Sequence, residues 1–392
     1  MENSRPLDIA VIGAGNRARK YLSCLPGGVR VRCIAEPDPL RLGWAARRHG
    51  VPAADCFDSA AAFFASGRKV DAVIIAAPDK LHVPLSLEAV GRGMHVLLEK
   101  PVAPSEAEYR LLMDAAARSG AIVTPCLEMR YHPYYRRIRE LVASGAVGEP
   151  SAVDHTEHIG PDRMAHTFVR GLWSRVEDSC PIFLSKCCHD ADFLLWLCGG
   201  TVEGVSSTGS IGKFRYREDT PLRCNACAIG DCPYSAVELY LKRREWTDGF
   251  DVPEGSSLED VIREELAGGR YGRCVYHCDN DVFDTQDAEV LLSGGIRLSM
   301  HLEGTSMQEG RSTKVIGSSG TLLACDGCIT VCDSGGRTVL QEDYSALMGL
   351  PLHAGADRAL VEDFFGAVAS GHKPQVTLES AFEGHRLCYR CA

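Results

Sequence analysis

The sequence predicts an α/β protein of two domains: residues 1–127 form a doubly wound parallel sheet, and 128–392 a domain of mostly antiparallel strands with helices. Three observations predict it. LDIAVI at residues 7–12 runs into the glycine turn G13-A-G15-N-R-A18 and then into apolar residues at helical spacing. Strand and helix signals alternate from there to about residue 125, the rhythm of a parallel sheet with helices on both faces. Beyond residue 128 the rhythm changes to longer alternating strands joined by tight turns. With 392 residues, 45% of them hydrophobic, the chain is long enough to bury two cores.

The elements follow in order. LDIAVI is the first strand, and ARKYLSCL the helix after the glycine turn. VRVRCIAEPD alternates and ends in acidic residues, and WAARRHG supplies a helix closed by Gly50. VDAVIIAAP is a buried strand reaching Pro78, followed by a helix through LSLEAVGRG and a strand, HVLLEKP. Residues 106–118 form another helix, and AIVTPCLEMR another strand. YYRRIRELVASG, closing on Gly145, is a basic helix leading into VGEPSAVDHTEH. Leu298, Met300 and Leu302 alternate with Arg297, Ser299, His301 and Glu303, the pattern of a sheet with one wet face. GTLLACDGCITVCDSGGRTVLQE turns at Asp326-Gly327 and at Gly335-Gly336. Residues from about 213 to 280, rich in Cys, Gly and charge, interrupt the strands as an insertion would, and two helices close the chain.

Charge narrows the function. With 42 Lys+Arg against 52 Asp+Glu the net charge is −10, a poor basis for binding nucleic acid or an anionic membrane. A small-molecule substrate is the expectation. No apolar run approaches the roughly 18 residues that span a bilayer, and MENSRPLDIAVIGAG carries neither a basic leader nor a cleavage site, so a cytoplasmic protein is expected.

The strand ends of the first domain carry the chemistry. Gly13, Gly15 and Ala18, with Asn16 and Arg17 between them, let backbone N–H groups approach a pyrophosphate at a helix N-terminus. Glu36 ends the second strand, where a carboxylate accepts hydrogen bonds from an adenosine ribose and repels a 2′-phosphate; NAD is favoured over NADP, with Arg41 close enough to soften the preference. Ala77 and Pro78 end the third strand, and Glu99 and Lys100 the fourth, at the carboxyl edge where such sheets bind ligands. A half-buried lysine there can hold a substrate hydroxyl and stabilise a developing alkoxide; a solvated Lys before a turn proline is the plain alternative.

These residues resemble the glucose-fructose oxidoreductase, inositol dehydrogenase and rhizopine-catabolism (Gfo/Idh/MocA) family, in G13AGNRA18, in AAPDKLH at 76–82 and above all in GMHVLLEKPVAPS at 93–105. MRYHPYYRRIRELVASGAVGE resembles the family's linker and first C-terminal helix. The resemblance implies an N-terminal Rossmann domain and a C-terminal α/β domain with a large open, mostly antiparallel sheet that pairs subunits into a homodimer or homotetramer, together with a nicotinamide cofactor and a sugar, polyol or related hydroxyl compound as substrate. It gives Lys100 the role of catalytic lysine and places His82 and Pro78 along the cofactor crevice. It also implies an inward-facing histidine, here His189 in S185KCCH189DAD192, to take a hydroxyl proton. The family often has an aspartate four residues earlier; here that position is Ser185. Lys186 shares the face of His189 and is a candidate second cation for an acidic or densely hydroxylated substrate. Members of such families also include NAD-dependent glycosidases and epimerase-like enzymes that borrow a hydride and return it, and a non-catalytic dinucleotide sensor is a third reading.

Two further groups complete the candidates. His166, Arg170 and Trp173 precede the His189 helix, and an aromatic plate with charged donors suits a sugar ring; His155, His158 and Arg163 are weaker candidates. Cys224, Cys227 and Cys232 have the spacing of a metal knuckle, and Cys274 would supply a fourth thiolate to a structural zinc that fastens an insertion lacking its own core. Free thiols are the alternative for a reducing compartment, ahead of a redox pair or iron-sulfur site.

Overall fold

A computed structural model describes residues 5–392, which divide into two units: the chain up to Pro133 together with Gly349–His385, and Tyr134–Met348 together with Arg386–Ala392. The first unit contains a six-stranded sheet of β1 (Leu7–Ile12), β2 (Val29–Ala35), β3 (Cys56–Phe57), β4 (Ala72–Ile75), β5 (His95–Leu98) and β6 (Val123–Pro125). Its order is β3-β2-β1-β4-β5-β6, and every neighbour pair is parallel. The central strands are apolar throughout because helices cover both faces: all of β4 is buried, as are Val96, Leu97 and Leu98 of β5. Chain order reverses between β1 and β4, which opens a crevice at their carboxyl ends.

The helices α1 (Asn16–Leu22), α2 (Pro39–His49), α3 (Ala60–Ala65), α4 (His82–Gly91) and α5 (Glu106–Ser119) start and stop where local chemistry dictates. The Asp38 side chain caps α2 by accepting from the N–H groups of Leu40 and Arg41, Pro39 occupies its first turn, and Gly50 closes it at φ 67°.

In the second unit α6 (Pro133–Ala143) leads into eight strands: β7 (Pro150–His158), β8 (Val202–Ser210), β9 (Thr285–Leu292), β10 (Arg297–Glu303), β11 (Gly310–Gly317), β12 (Gly320–Cys325), β13 (Cys328–Asp333) and β14 (Thr338–Asp343). They run in the order β14-β13-β12-β11-β7-β10-β9-β8, antiparallel except where β10 pairs with β7. Leu298, Met300 and Leu302 face inward as their alternation predicts. The β12–β13 hairpin turns at Asp326 (φ 49°) and Gly327 (φ 83°), the two positive angles a two-residue turn needs to match strand twist. The short α7 (Pro161–Arg163) and a π-helical turn, Met164–Arg170, precede α8 (Ile182–Cys198), which is buried on nearly every side.

The predicted insertion occupies the stretch between β8 and β9. It holds α9 (Leu258–Gly268), whose first turn is closed by a Ser257–Asp260 capping box. Contrary to expectation, it has a core of its own: Ala236, Leu239, Tyr240, Ile262 and Leu266, with Trp246, Phe250 and Tyr271 packed against them. Asp284 is fully buried and accepts from the backbone N–H groups of Gly212, Lys213 and Phe214, which pins the insertion's first residues to its last.

The chain then reaches the turn α10 (Pro351–Ala354), α11 (Ala356–Ser370) and α12 (Leu378–Cys391). Residues 349–385, which the sequence assigns to the second domain, complete the first unit instead. Leu360, Val361, Phe364 and Phe365 of α11 share one apolar cluster with Ile9 and Val11 of β1 and Tyr21 and Leu22 of α1. No helix among the described residues is long and apolar enough to cross a membrane.

Candidate active site

The glycine turn is built to leave ground open. Gly13 has φ 86°, and a Cβ there would lie 2.4 Å from the carbonyl oxygen of Ala76, so β1 meets β4 only without a side chain. Among the described residues, a Cβ on Gly15 would meet nothing within 4 Å, and no side chain caps the first turn of α1. Ala18 is buried and Asn16 exposed. Glu36 is buried at the end of β2; its Oε2 accepts from the Ala14 N–H at 2.6 Å and its Oε1 from the Asp38 N–H at 2.9 Å. These residues fit a dinucleotide: open space before the turn, free first-turn geometry, and a carboxylate at the ribose position.

Lys100 is half-buried at the end of β5, and its neighbours fix its backbone. Glu99 is the centre of that arrangement. Its Oε1 accepts from Arg17 Nε at 2.6 Å and from the Tyr21 hydroxyl at 2.5 Å, while its Oε2 accepts from the Lys100 N–H at 2.9 Å. Burial pushes the Glu99 carboxyl up, but Arg17, Lys100 and the hydrogen bonds outweigh it and hold it below the usual range. Arg17, expected beside a pyrophosphate, is therefore turned inward, where it also bonds Asp357 Oδ1 at 2.9 Å. His82 is wholly buried and does not line the crevice: one ring nitrogen lies 2.7 Å from the Pro101 carbonyl and the other 2.9 Å from that of Ala77, joining the ends of β4 and β5. His385 accepts the Val102 N–H at Nε2, 3.1 Å away, on the far side of the same peptide segment, whose Lys100–Pro101 bond is cis. Pro78 is exposed.

In the second unit one face of α8 is joined by ion pairs to β7 and β11. Lys186 Nζ is 2.5 Å from Glu157 Oε1, and Glu157 Oε2 is 2.8 Å from Arg311 Nε. Arg311 also pairs with Asp190 at 2.5 Å; His155 lies 3.1 Å from the same carboxylate and 2.9 Å from the Thr313 hydroxyl. Two cations thus meet two carboxylates in a buried network. Burial drives the Lys186 ammonium down, only partly restored by Glu157, while Asp190, despite burial, is held low by Arg311 and His155. His189 and Asp192 are buried on this helix.

Other expectations give way. His166 is not a sugar plate: it stacks on Tyr271 with ring centroids 4.6 Å apart, bonds the Tyr240 hydroxyl at 2.8 Å and belongs to the aromatic packing of the insertion. Arg170 is fully buried, bonded to the carbonyls of Arg273 and Tyr234 at 2.7 and 2.6 Å. Trp173 is half-buried. Among the described residues no group of three or more His, Cys, Asp or Glu side chains is arranged to hold a metal ion, which removes the zinc expected on Cys224, Cys227, Cys232 and Cys274. The physical reason is that the insertion already has an apolar core and an arginine strut: Arg170 Nη2 bonds Cys224 Sγ at 3.4 Å, and all eighteen cysteines are free thiols. Sequence reasoning overlooked Glu157, Asp190 and Arg311, whose partners come only through long-range packing, and also His353 and Asp357, a pair four residues apart whose link to Arg17 is long-range.

Comparison with known proteins agrees with this architecture. Residues 7–126 match the model of the Gfo/Idh/MocA oxidoreductase family, NAD-binding Rossmann fold. Inositol 2-dehydrogenase of Rubrobacter xylanophilus is 30% identical over 217 residues, 53% of this chain and 56% of that protein, so the match spans a little over half the relative's length. An oxidoreductase from Agrobacterium radiobacter, solved with NAD+, L-tartaric acid and magnesium, shares the fold at a TM-score of 0.69 and 16% identity, covering 98% of this chain and 96% of that one. Myo-inositol 2-dehydrogenase from Lactobacillus plantarum superposes with a TM-score of 0.67 at 19% identity, covering 99% and 96%. With its glycine turn and 3-2-1-4-5-6 strand order, the first unit has a Rossmann fold, and over residues 7–126 it is similar to the NAD-binding domain of the Gfo/Idh/MocA oxidoreductase family.

Proposed function

We propose that the protein is an NAD-dependent dehydrogenase acting on a CH–OH group of a neutral polyhydroxyl compound, an inositol or sugar. The carrying observation is the Glu99 arrangement: one carboxylate ties the first helix of the glycine turn, through Arg17 and Tyr21, to the backbone of Lys100. A dinucleotide bound at that turn supplies a nicotinamide able to take a hydride. Lys100 holds the substrate hydroxyl and stabilises the alkoxide that develops as its proton leaves. His189 accepts that proton. Glu36 places negative charge where a 2′-phosphate would lie, which supports NAD over NADP.

The neutrality of the substrate rests on the α8 network. Lys186 and Arg311 are already matched by Glu157 and Asp190, so Lys186 offers no surplus cation to a sugar acid. The test is NADH formation, read by absorbance, across inositols, neutral sugars, aldonates and uronates. Turnover of an inositol or neutral sugar supports the reading; turnover confined to the acids contradicts the substrate class. Product formation without NADH accumulation identifies a borrowed hydride, and replaces net oxidation by transient oxidation.

A further inference from the structure

The chain enters α11 through a turn that L-residues rarely adopt. Leu352, His353 and Ala354 have φ of 56°, 47° and 52°, and Gly355 follows at 87°. Three successive side-chain-bearing residues in the left-handed region persist only where their surroundings over-determine them, and such residues gather at binding and catalytic sites.

Here the turn places one imidazole. His353 Nδ1 lies 2.9 Å from Asp357 Oδ2 and 3.9 Å from Glu128 Oε1. The His353 side chain is 44% exposed and that of Asp357 0%. A carboxylate only accepts, so Nδ1 of the neutral ring carries the proton and Nε2 is left as an acceptor. The other oxygen of Asp357 binds Arg17 at 2.9 Å, Arg17 binds Glu99 at 2.6 Å, and Glu99 binds the Lys100 N–H at 2.9 Å. An outward imidazole, oriented by a buried acid, is thereby joined through consecutive polar contacts to the glycine turn and to Lys100, all within the first unit. A buried acid behind an accessible histidine is the arrangement that engages a hydroxyl.

We infer that His353, positioned by Asp357, is a further ligand-contacting residue of the dinucleotide unit and accepts a hydrogen bond from a ribose or polyol hydroxyl. The inference rests on the dehydrogenase reading above. Cofactor ribose and substrate share this chemistry, and the experiment separates them.

Glycine is the informative replacement, because it adopts the left-handed conformation without strain. His353→Gly removes the imidazole while relaxing the turn, so relief of backbone strain offsets part of the stability lost with the His353–Asp357 contact. Loss of one hydrogen bond should weaken binding about tenfold. If the partner is the cofactor, the loss falls on the Kd for NAD+ measured without substrate. If it is the substrate, NAD+ affinity stays and KM for the polyol rises. His353→Asn, which tolerates the same φ and keeps an acceptor, should recover part of the loss. Both constants within about twofold of wild type in His353→Gly would overturn the inference, whether or not Tm falls. A wild-type chain that binds no NAD+ overturns the dehydrogenase reading, and this inference with it. A wild-type chain that binds NAD+ and turns over the polyol, with both constants unchanged in the variant, overturns this inference alone.

Discussion

At the scale of residues, the account turns on carboxylates that organise their neighbours. Asp357 is the quantitative case. Burial pushes its carboxyl up, but His353 and Arg17 bring it down to about 2. A depressed carboxylate stabilises the fold above its unfolded value near 4 and loses that contribution as pH falls through the folded value; the shift corresponds to about 2 kcal/mol. Asp357→Asn should therefore cost about 2 kcal/mol at neutral pH by chemical denaturation, and about half of that at pH about 3. Glu157 makes a second case. Removing it leaves Lys186 and part of Arg311 buried without their partner, and Glu157→Gln should destabilise by about 3 kcal/mol, whereas a solvated pair would cost under about 1 kcal/mol.

At the scale of elements, local signals were legible and long-range ones were not. The glycine turn, the LLEKP strand end and the His189 helix stand out because the turn, strand and helix each write their constraints into adjacent positions. The cysteine spacing misled for the converse reason: nothing near Cys224 in the sequence reveals that Arg170 will lie against its sulfur. Gly13 carries the sharpest prediction of an element. Gly13→Ala drives a methyl against the Ala76 carbonyl where β1 meets β4, and should lower Tm and NAD+ affinity together. His385 supplies the pH signature of the segment after β5. Its Nε2 accepts the Val102 N–H and its Nδ1 lies against the Ala381 carbonyl, so the folded ring is neutral, and burial lowers it to about 4. The unfolded histidine takes up a proton near pH 6.5, so stability is full above that value and declines as pH drops toward 4, by up to about 3 kcal/mol. Denaturation at pH 7 and pH 5 should differ in that direction, and His385→Gln should flatten the difference.

At the scale of the whole molecule, the chain leaves its first unit at Pro133 and returns to it at Gly349. Amphipathic helices near the C-terminus say that they pack on something; they do not say on which sheet, which is why 349–385 were assigned to the wrong domain by sequence. The return has an energetic consequence. Phe364, Phe365, Leu360 and Val361 are buried against β1 and α1, and burying each is worth about 2 kcal/mol. A chain ending at residue 348 should therefore fail to fold its dinucleotide unit cooperatively, as read by NAD+ binding and near-ultraviolet circular dichroism.

The central claim is that the glycine turn and the β5 end hold a nicotinamide with Lys100 at the reacting carbon. Lys100→Met tests it most directly, with NAD+ affinity and the rate of NADH formation from an inositol or neutral sugar measured on the same preparation. The account predicts affinity within about threefold of wild type and a rate lowered at least about a thousandfold. A variant that still reduces NAD+ at a rate near that of the wild type would contradict it.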